Sequence, residues 1–416
     1  MSQKKQATQI IETIVKENMP QKSVEKALAR YNFDVEGKIF VVAIGKAAWK
    51  MTKAAVDYLG NKIESGICIT KYDHGFGDIE GIEICEAGHP TPDENTLAAT
   101  KKAISLVENL TSEDLVLFLV SGGGSALFEN LKEGVSLEDL QDTTKQLLAS
   151  GADITEMNTI RKRLSTVKAG GFAKLVEPAS VFAVILSDVL GDRLDFVASG
   201  PCTVDTSTVE DAQDIIKKYG LQLSDTVLQY MQEETVKELS NVTAVVTGSV
   251  RSLCESAADV AKKLGYRPYI LTTTLNCEAR EAGRFLASIA KDTTQDLTRF
   301  KRPCAIIAGG ETVVKVTGTG KGGRNQELAL ASAEILSMAD GVLLFSIGSD
   351  GTDGPTDAAG GMVTEKTMLE LKNKGIKIQD VLANNDSYNA LKAVDSLVMT
   401  GPTGTNVNDI TVVLVK

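Results

Sequence analysis

The chain is predicted to be an α/β protein of two domains, and three observations carry that prediction. Its 416 residues exceed the roughly 250 to 300 at which a single hydrophobic core stops growing. Short apolar runs alternate with segments of helical periodicity along the whole length, as parallel strands joined by helices do. The clearest such unit is DLVLFLVSGGGSAL, residues 114–127, in which six apolar residues lead through three glycines into an amphipathic segment. It reads as strand, loop and helix.

The elements follow in order. The first 30 residues show apolar positions at helical spacing, and Pro20 divides them into two helices expected to cover one sheet face. KIFVVAI (38–44) is a buried strand ending at Gly45 and Lys46, and SGICITK (65–71) is another. In EICEAGHPTPDENT, Pro90, Pro92 and Asp93 form a rigid turn, and Thr91 or Asp93 caps the helix starting near Glu94. VFAVIL (181–186) is a further strand, and the charged, helical stretch 206–241 marks the domain boundary. The domains are therefore placed at 1–238 and 239–416. The second holds TAVVTGS, YILTTT, CAIIAGGE, GVLLFSIGSDGTDG and DITVVLV; TVVKV, just after Glu311, predicts a hairpin and so a mixed sheet. The last strand is left open to pack back on the first domain.

Composition narrows the function. Charged residues at 24% and hydrophobic ones at 43% fit a folded globular protein. A net charge of −11 opposes a broad nucleic-acid surface. Six scattered cysteines without a C-x-x-C pair suit a reducing compartment, and no apolar run of 18 residues is present to span a membrane. A cytoplasmic protein acting on small molecules is expected, with its oligomeric state open. Two histidines, His74 and His89, exclude a multi-histidine metal site.

The chemistry concentrates at strand ends, where α/β sheets gather ligands. Ser121, Gly122, Gly123, Gly124 and Ser125 form a loop in which glycines let a ligand approach the backbone, so it is expected to cradle an anion. Lys46 stands where the KIFVVAI strand ends and the next helix begins. MNTIRKRLSTVKAGGFAK (157–174) gathers Arg161, Lys162, Arg163, Lys168 and Lys174; from it Asn158 and Arg161, and from CAIIAGGE Glu311, join the loop as candidate binders of substrate or phosphate. Asp188 and Asp192 beyond the VFAVIL strand suit a hard cation such as Mg²⁺, or Asp188 alone a base, with helix or loop capping as the plain alternative.

Gly318, Gly320 and Gly323 satisfy G-x-G-x-x-G, but the ribose-binding acid expected about 20 positions on is missing, and Lys321 and Arg324 occupy the loop instead. Neither Lys46 nor Lys321 fits a Walker-type P-loop, and Ser125 fails G-x-S-x-G because Leu127 ends it. What remains is a glycine-rich anion loop, cations at loop tips and aspartates for a metal, the parts of a phosphoryl-transfer site.

Taken together, IGKAA, AGHPTPDENT, VSGGGSAL, MNTIRK, LSDVLGD, ASGP, GGET, GGRNQELAL, GSDGTDGPTDAAGG and GPTGTNVND resemble the glycerate 2-kinases of the MOFRL type, a family often labelled hydroxypyruvate reductase. The resemblance runs from about residue 38 to the end with the motifs in order. It implies ATP-dependent phosphorylation of D-glycerate to 2-phosphoglycerate. It also implies a cleft between a Rossmann-like α/β/α N-terminal domain and a smaller α/β domain, with Lys46 and Arg324 as its motif residues. The alternatives are an NAD(P)H-dependent hydroxypyruvate reductase and a non-catalytic protein binding phosphorylated metabolites.

Overall fold

The computed structural model describes residues Met1–Lys416 apart from Asp188 and Asp192, on which the expected metal ligands and base fall; those two positions lie outside the described residues. Two sheets of six strands organise the chain, each within its own compact unit. The first unit is Ser23–Thr247; the second combines Met1–Lys22 with Gly248–Lys416.

In the first unit the strands are β1 (Ile39–Ile44), β2 (Ile63–Lys71), β3 (Ile82–Ala87), β4 (Leu115–Val120), β5 (Ser180–Leu186) and β6 (Val242–Gly248). Their order is β3-β2-β1-β4-β5-β6, the arrangement of the doubly wound α/β fold. The pairs β1–β2, β1–β4, β2–β3 and β4–β5 are parallel. Central β4 is buried at every residue, which is why LVLFLV reads as a continuous apolar run rather than an alternating one. Its even residues, Val116, Phe118 and Val120, join the core with Phe128 and Phe172. Its odd residues, Leu115, Leu117 and Leu119, join the opposite core with Met51 and Phe182. β1 and β4 are in register from Ile39–Leu115 to Ile44–Val120, so both strands end at one level and deliver Lys46 and Ser121 side by side.

The second unit adds β7 (Arg267–Leu275), β8 (Cys304–Gly310), β9 (Val342–Gly348), β10 (Gly360–Thr364), β11 (Leu397–Val398) and β12 (Asp409–Val415) in the order β11-β10-β9-β12-β8-β7. The sheet is mixed as expected, but for a different reason. TVVKV forms no hairpin; among its residues only Val313 makes a bridge, to Glu278. β7 and β8 are parallel, whereas β12 is antiparallel to both β8 and β9, between which it sits, and β10 is antiparallel to β9 and β11. The C-terminal strand is thus the middle of the second sheet.

Two boundaries also differ from expectation. The division falls at 247/248 rather than 238/239 because β6 completes the first sheet. The opening helix, Gln3–Glu17, belongs to the second unit, where Gln3 Nε2 donates to Gly341 O (3.1 Å) and Leu414 O (3.0 Å). Val24 and Leu28 of the next helix, Pro20–Leu28, instead enter a core with β1 of the first unit.

Candidate functional site

In the first unit Lys46 is exposed immediately beyond β1. Its backbone is fixed on both sides. Lys46 N donates to Gly122 O (2.9 Å), and Ser121 Oγ accepts from Ala47 N (3.1 Å) while donating to Ile44 O (3.2 Å). Ser121 is 2% exposed with its hydroxyl engaged, so it braces the ends of β1 and β4 rather than presenting itself to a ligand. Gly124 is likewise a packing residue: a Cβ there would lie 2.8 Å from that of Ala198.

The helix expected after the loop is a single turn, Gly124–Leu127, too short to act as a dipole. The loop's usable donors are its own amides. Among the described residues no acceptor meets the N–H of Gly122, Gly123 or Ser125. Gly123 has φ +84°, and a Cβ there would lie 3.0 Å from the His89 ring and 3.2 Å from Lys46 Cε. Both histidines of the chain therefore stand at Lys46, since His74 Nδ1 lies 3.2 Å from Lys46 O. Burial, then the charges of Lys46, Lys71 and His74, hold the His89 imidazole below its ordinary range, leaving it neutral at neutral pH. The turn bearing His89 leads into the helix Glu94–Val107, capped by Asp93 through Thr96 N (2.9 Å).

Behind the loop is a buried polar group that sequence patterning only partly reveals. Ser125 Oγ lies 2.7 Å from Ser199 Oγ, and Ser199 Oγ donates to Asn158 Oδ1 (3.5 Å). Ala198, Ser199 and Gly200 have φ of +52°, +61° and +67°, and Ala169 has +53°. Left-handed non-glycine residues persist where surroundings enforce them, and they cluster at functional sites. Arg161 is half-buried, and Lys168 and Glu129 form a buried ion pair. Arg163 lies elsewhere, donating to Thr159 O (2.7 Å) and Ser207 Oγ (3.0 Å), and Lys162 pairs with Asp205 at 3.3 Å. The basic stretch is therefore mostly structural, leaving Asn158 linked to the loop through Ser199 and Arg161 half-buried near Glu129.

In the second unit Arg324 opens the buried helix Arg324–Leu336, whose first amides are capped from afar. Asp353 accepts from Asn325 N (3.1 Å) and Gln326 N (2.8 Å). Burial pushes the Asp353 carboxyl up to about 6. Arg324 is not a free loop cation. Its fork grips Asp409 through Nε to Oδ2 (2.6 Å) and Nη2 to Oδ1 (3.1 Å), and Nη1 donates to Glu311 Oε1 (2.9 Å). Glu311 is thus a partner of Arg324. Among the described residues, two of the five guanidinium N–H donors have no partner.

The G-x-G-x-x-G loop is resolved by what its glycines touch. Cβ atoms on Gly318, Gly320, Gly322 and Gly323 would lie 2.4 Å from Asn384, 2.5 Å from Asn384 and Asp386, 2.2 Å from Ser387 and 2.3 Å from Asp353. These glycines let one segment cross another, and the segment preceding them is not a strand. The dinucleotide fingerprint lacks its strand-turn-helix context here.

The comparisons agree with this geometry. Residues 6–232 match the family described as a domain of unknown function, DUF4147, and residues 304–409 match the MOFRL family. The chain belongs to the MOFRL-type glycerate 2-kinase family. A D-glycerate 2-kinase of Thermotoga maritima is 52% identical over 414 residues, covering 100% of this chain and 99% of the relative. A glycerate 2-kinase of Pyrococcus horikoshii is 44% identical, covering 92% and 88%. A crystal structure of glycerate kinase (EC 2.7.1.31) from Thermotoga maritima superposes with a TM-score of 0.95 at 52% identity, over 99% of each chain.

Proposed function

We propose that the protein is a glycerate kinase that transfers the γ-phosphoryl group of ATP to the 2-hydroxyl of D-glycerate, releasing ADP and 2-phosphoglycerate. The observation that carries this reading is the exposed Lys46 ammonium beside the open amides of Gly122, Gly123 and Ser125 at the ends of β1 and β4, in a family whose relatives are named glycerate 2-kinases. Phosphoryl transfer asks mainly for positioning and stabilisation of charge on the moving group. In this reading Lys46 and the loop amides hold phosphate oxygens, and neutral His89 donates or accepts one hydrogen bond without adding charge. Arg324, in the second unit, is proposed as a further anion-binding cation through the donors it keeps among the described residues. The 2-hydroxyl oxygen attacks phosphorus, the bond to ADP breaks, and the hydroxyl proton leaves to a base, a role proposed for Asp188.

Mg²⁺ is the expected companion of ATP. No group of three or more His, Cys, Asp or Glu among the described residues is arranged to hold a metal ion, and the proposed ligands Asp188 and Asp192 lie outside them, so no step is assigned to the metal. The choice of the 2-hydroxyl is supported by the relatives named glycerate 2-kinases, whereas the class number of the Thermotoga maritima crystal structure denotes a 3-kinase. Purified protein with ATP, Mg²⁺ and D-glycerate should release ADP, and NMR of the product should show phosphate on carbon 2. NAD(P)H oxidation with hydroxypyruvate and no ADP would favour the reductase reading.

A further inference from the structure

We infer that Arg161, a half-buried guanidinium beside the buried Glu129–Lys168 pair, is the seat of the substrate's carboxylate; the inference rests on the glycerate kinase reading. Arg161 lies three residues after Asn158 on the helix Ile154–Arg163, so the two side chains share a face. Asn158 is joined through Ser199 to Ser125 at the end of the anion loop. Glu129 follows Ser125 by four residues and is fully buried with Lys168, whose Nζ it holds through Oε2. Lys168 in turn adjoins Ala169, whose N–H donates to Ser199 O (3.0 Å). Loop, helix and ion pair thus converge.

The charges there do not cancel. Among the described residues, one carboxylate faces two cations: Lys168 takes Oε2, while Glu129 Oε1 and the buried Nε of Arg161 have no hydrogen-bond partner. Among the described residues, no hydrogen bond or ion pair engages the Arg161 guanidinium, although Glu129 is near enough to oppose the downward pull of burial on its ionisation. A half-buried guanidinium with unmet donors is costly unless a ligand satisfies it. The surplus is a single positive charge, which matches the single negative charge of a small acid's carboxylate better than the multiple charges of a nucleotide's phosphates. Arginine's planar fork also fits a carboxylate in bidentate fashion. The buried, mutually hydrogen-bonded Ser199 and Asn158 brace the helix against the anion loop behind that guanidinium.

The test is calorimetric binding of D-glycerate, of uncharged glyceramide and of ATP to the full-length protein and to Arg161→Gln. D-glycerate should bind roughly 10²-fold more weakly to the variant, the scale of removing one partner of a buried charge pair. ATP should bind within about twofold of wild type, by the same proposal, and the preference for D-glycerate over glyceramide should collapse. Arg161→Lys, which keeps the charge and loses the fork, should recover about tenfold of the lost affinity. It also serves if Arg161→Gln does not fold, since a Lys variant with wild-type affinity for D-glycerate would contradict a seat built on the fork. Cooperatively melting variants that bind D-glycerate as wild type does, or that lose ATP instead, overturn the inference. A wild-type protein that binds D-glycerate through Arg161 but releases no ADP would leave the carboxylate seat standing and sink the kinase reading.

Discussion

Replacing Arg324 by lysine keeps one positive charge and removes the fork that Asp409 receives. Arg324 makes three charge-assisted bonds, two to Asp409 and one to Glu311, each on the order of 1.5–3 kcal/mol. The Glu311 bond counts least, because the Glu311 side chain is 43% exposed and Arg324 35%. Asp409 is the sensitive partner, its side chain only 8% exposed. A lysine ammonium can meet one of its oxygens, so one buried charge-assisted bond is lost, for a destabilisation of about 2–3 kcal/mol. For a unit of this size that lowers the melting temperature by roughly 4–10 °C. The loss should have a pH signature. Burial raises the Asp409 carboxyl and the Arg324 bond pulls it back, so the variant's Asp409 titrates higher than wild type's. A carboxyl raised on folding costs stability as pH climbs from the unfolded to the folded value, so the deficit should widen with pH over that window. Denaturant titration at several pH values measures it, and steady-state kinetics should show kcat down roughly 10²-fold if the two remaining donors stabilise the transferred group. Unchanged stability together with unchanged kcat would refute both the geometry and the role.

Further outcomes follow from single residues. Lys46→Met should lower turnover by roughly 10²-fold with the melting curve unchanged, since the ammonium is exposed; a variant equally active would remove Lys46 from the site. Asp353, raised to about 6 from an ordinary value near 3.9, should make the protein lose about 3 kcal/mol as pH rises from 4 to 6; the fully stabilised condition is below pH 4, where both states are protonated. Asp353→Asn should flatten that slope in pH-dependent unfolding, and an unchanged slope would mean another group titrates. Gly318→Ala, which puts a methyl 2.4 Å from Asn384, should destabilise by about 1–3 kcal/mol in urea titration; a neutral result would mean that the loop does not cross the 384–387 segment.

The strands were readable because burial on both faces writes itself as unbroken apolar runs, as in LVLFLV and VFAVIL. The ends of β1 and β4 carried the site for the same reason: Lys46 and the SGGGS loop are local features at strand termini. What sequence could not show depends on partners distant in the chain. TVVKV looks like a strand, yet Val313 and Val316 are exposed, and the adjoining residues are tied to Asn385, which accepts from Thr317 N (2.7 Å) and Gly318 N (2.9 Å). The sheet is mixed because parallel β7–β8 adjoins antiparallel pairs, among them those of β12, whose neighbours β8 and β9 lie far earlier in the chain. The freedom assigned to Arg324 ignored Asp409, 85 residues away. Glu129, preceded by Phe128 and followed by Asn130, Lys132 and Glu133, gives no local sign of burial; only Lys168, 39 residues on, explains it. That context is the one of an ordinary surface acid, so its burial is legible only through the pairing that a buried charge requires.

The central claim is the transfer of phosphate to the 2-hydroxyl of D-glycerate, and the most direct measurement is NMR of the product formed in the first minutes from D-glycerate, ATP and Mg²⁺, read alongside ADP release. The account predicts one ADP for each 2-phosphoglycerate, with the phosphorus coupled to the proton on carbon 2. Phosphate on carbon 3, or no ADP at all, would contradict it.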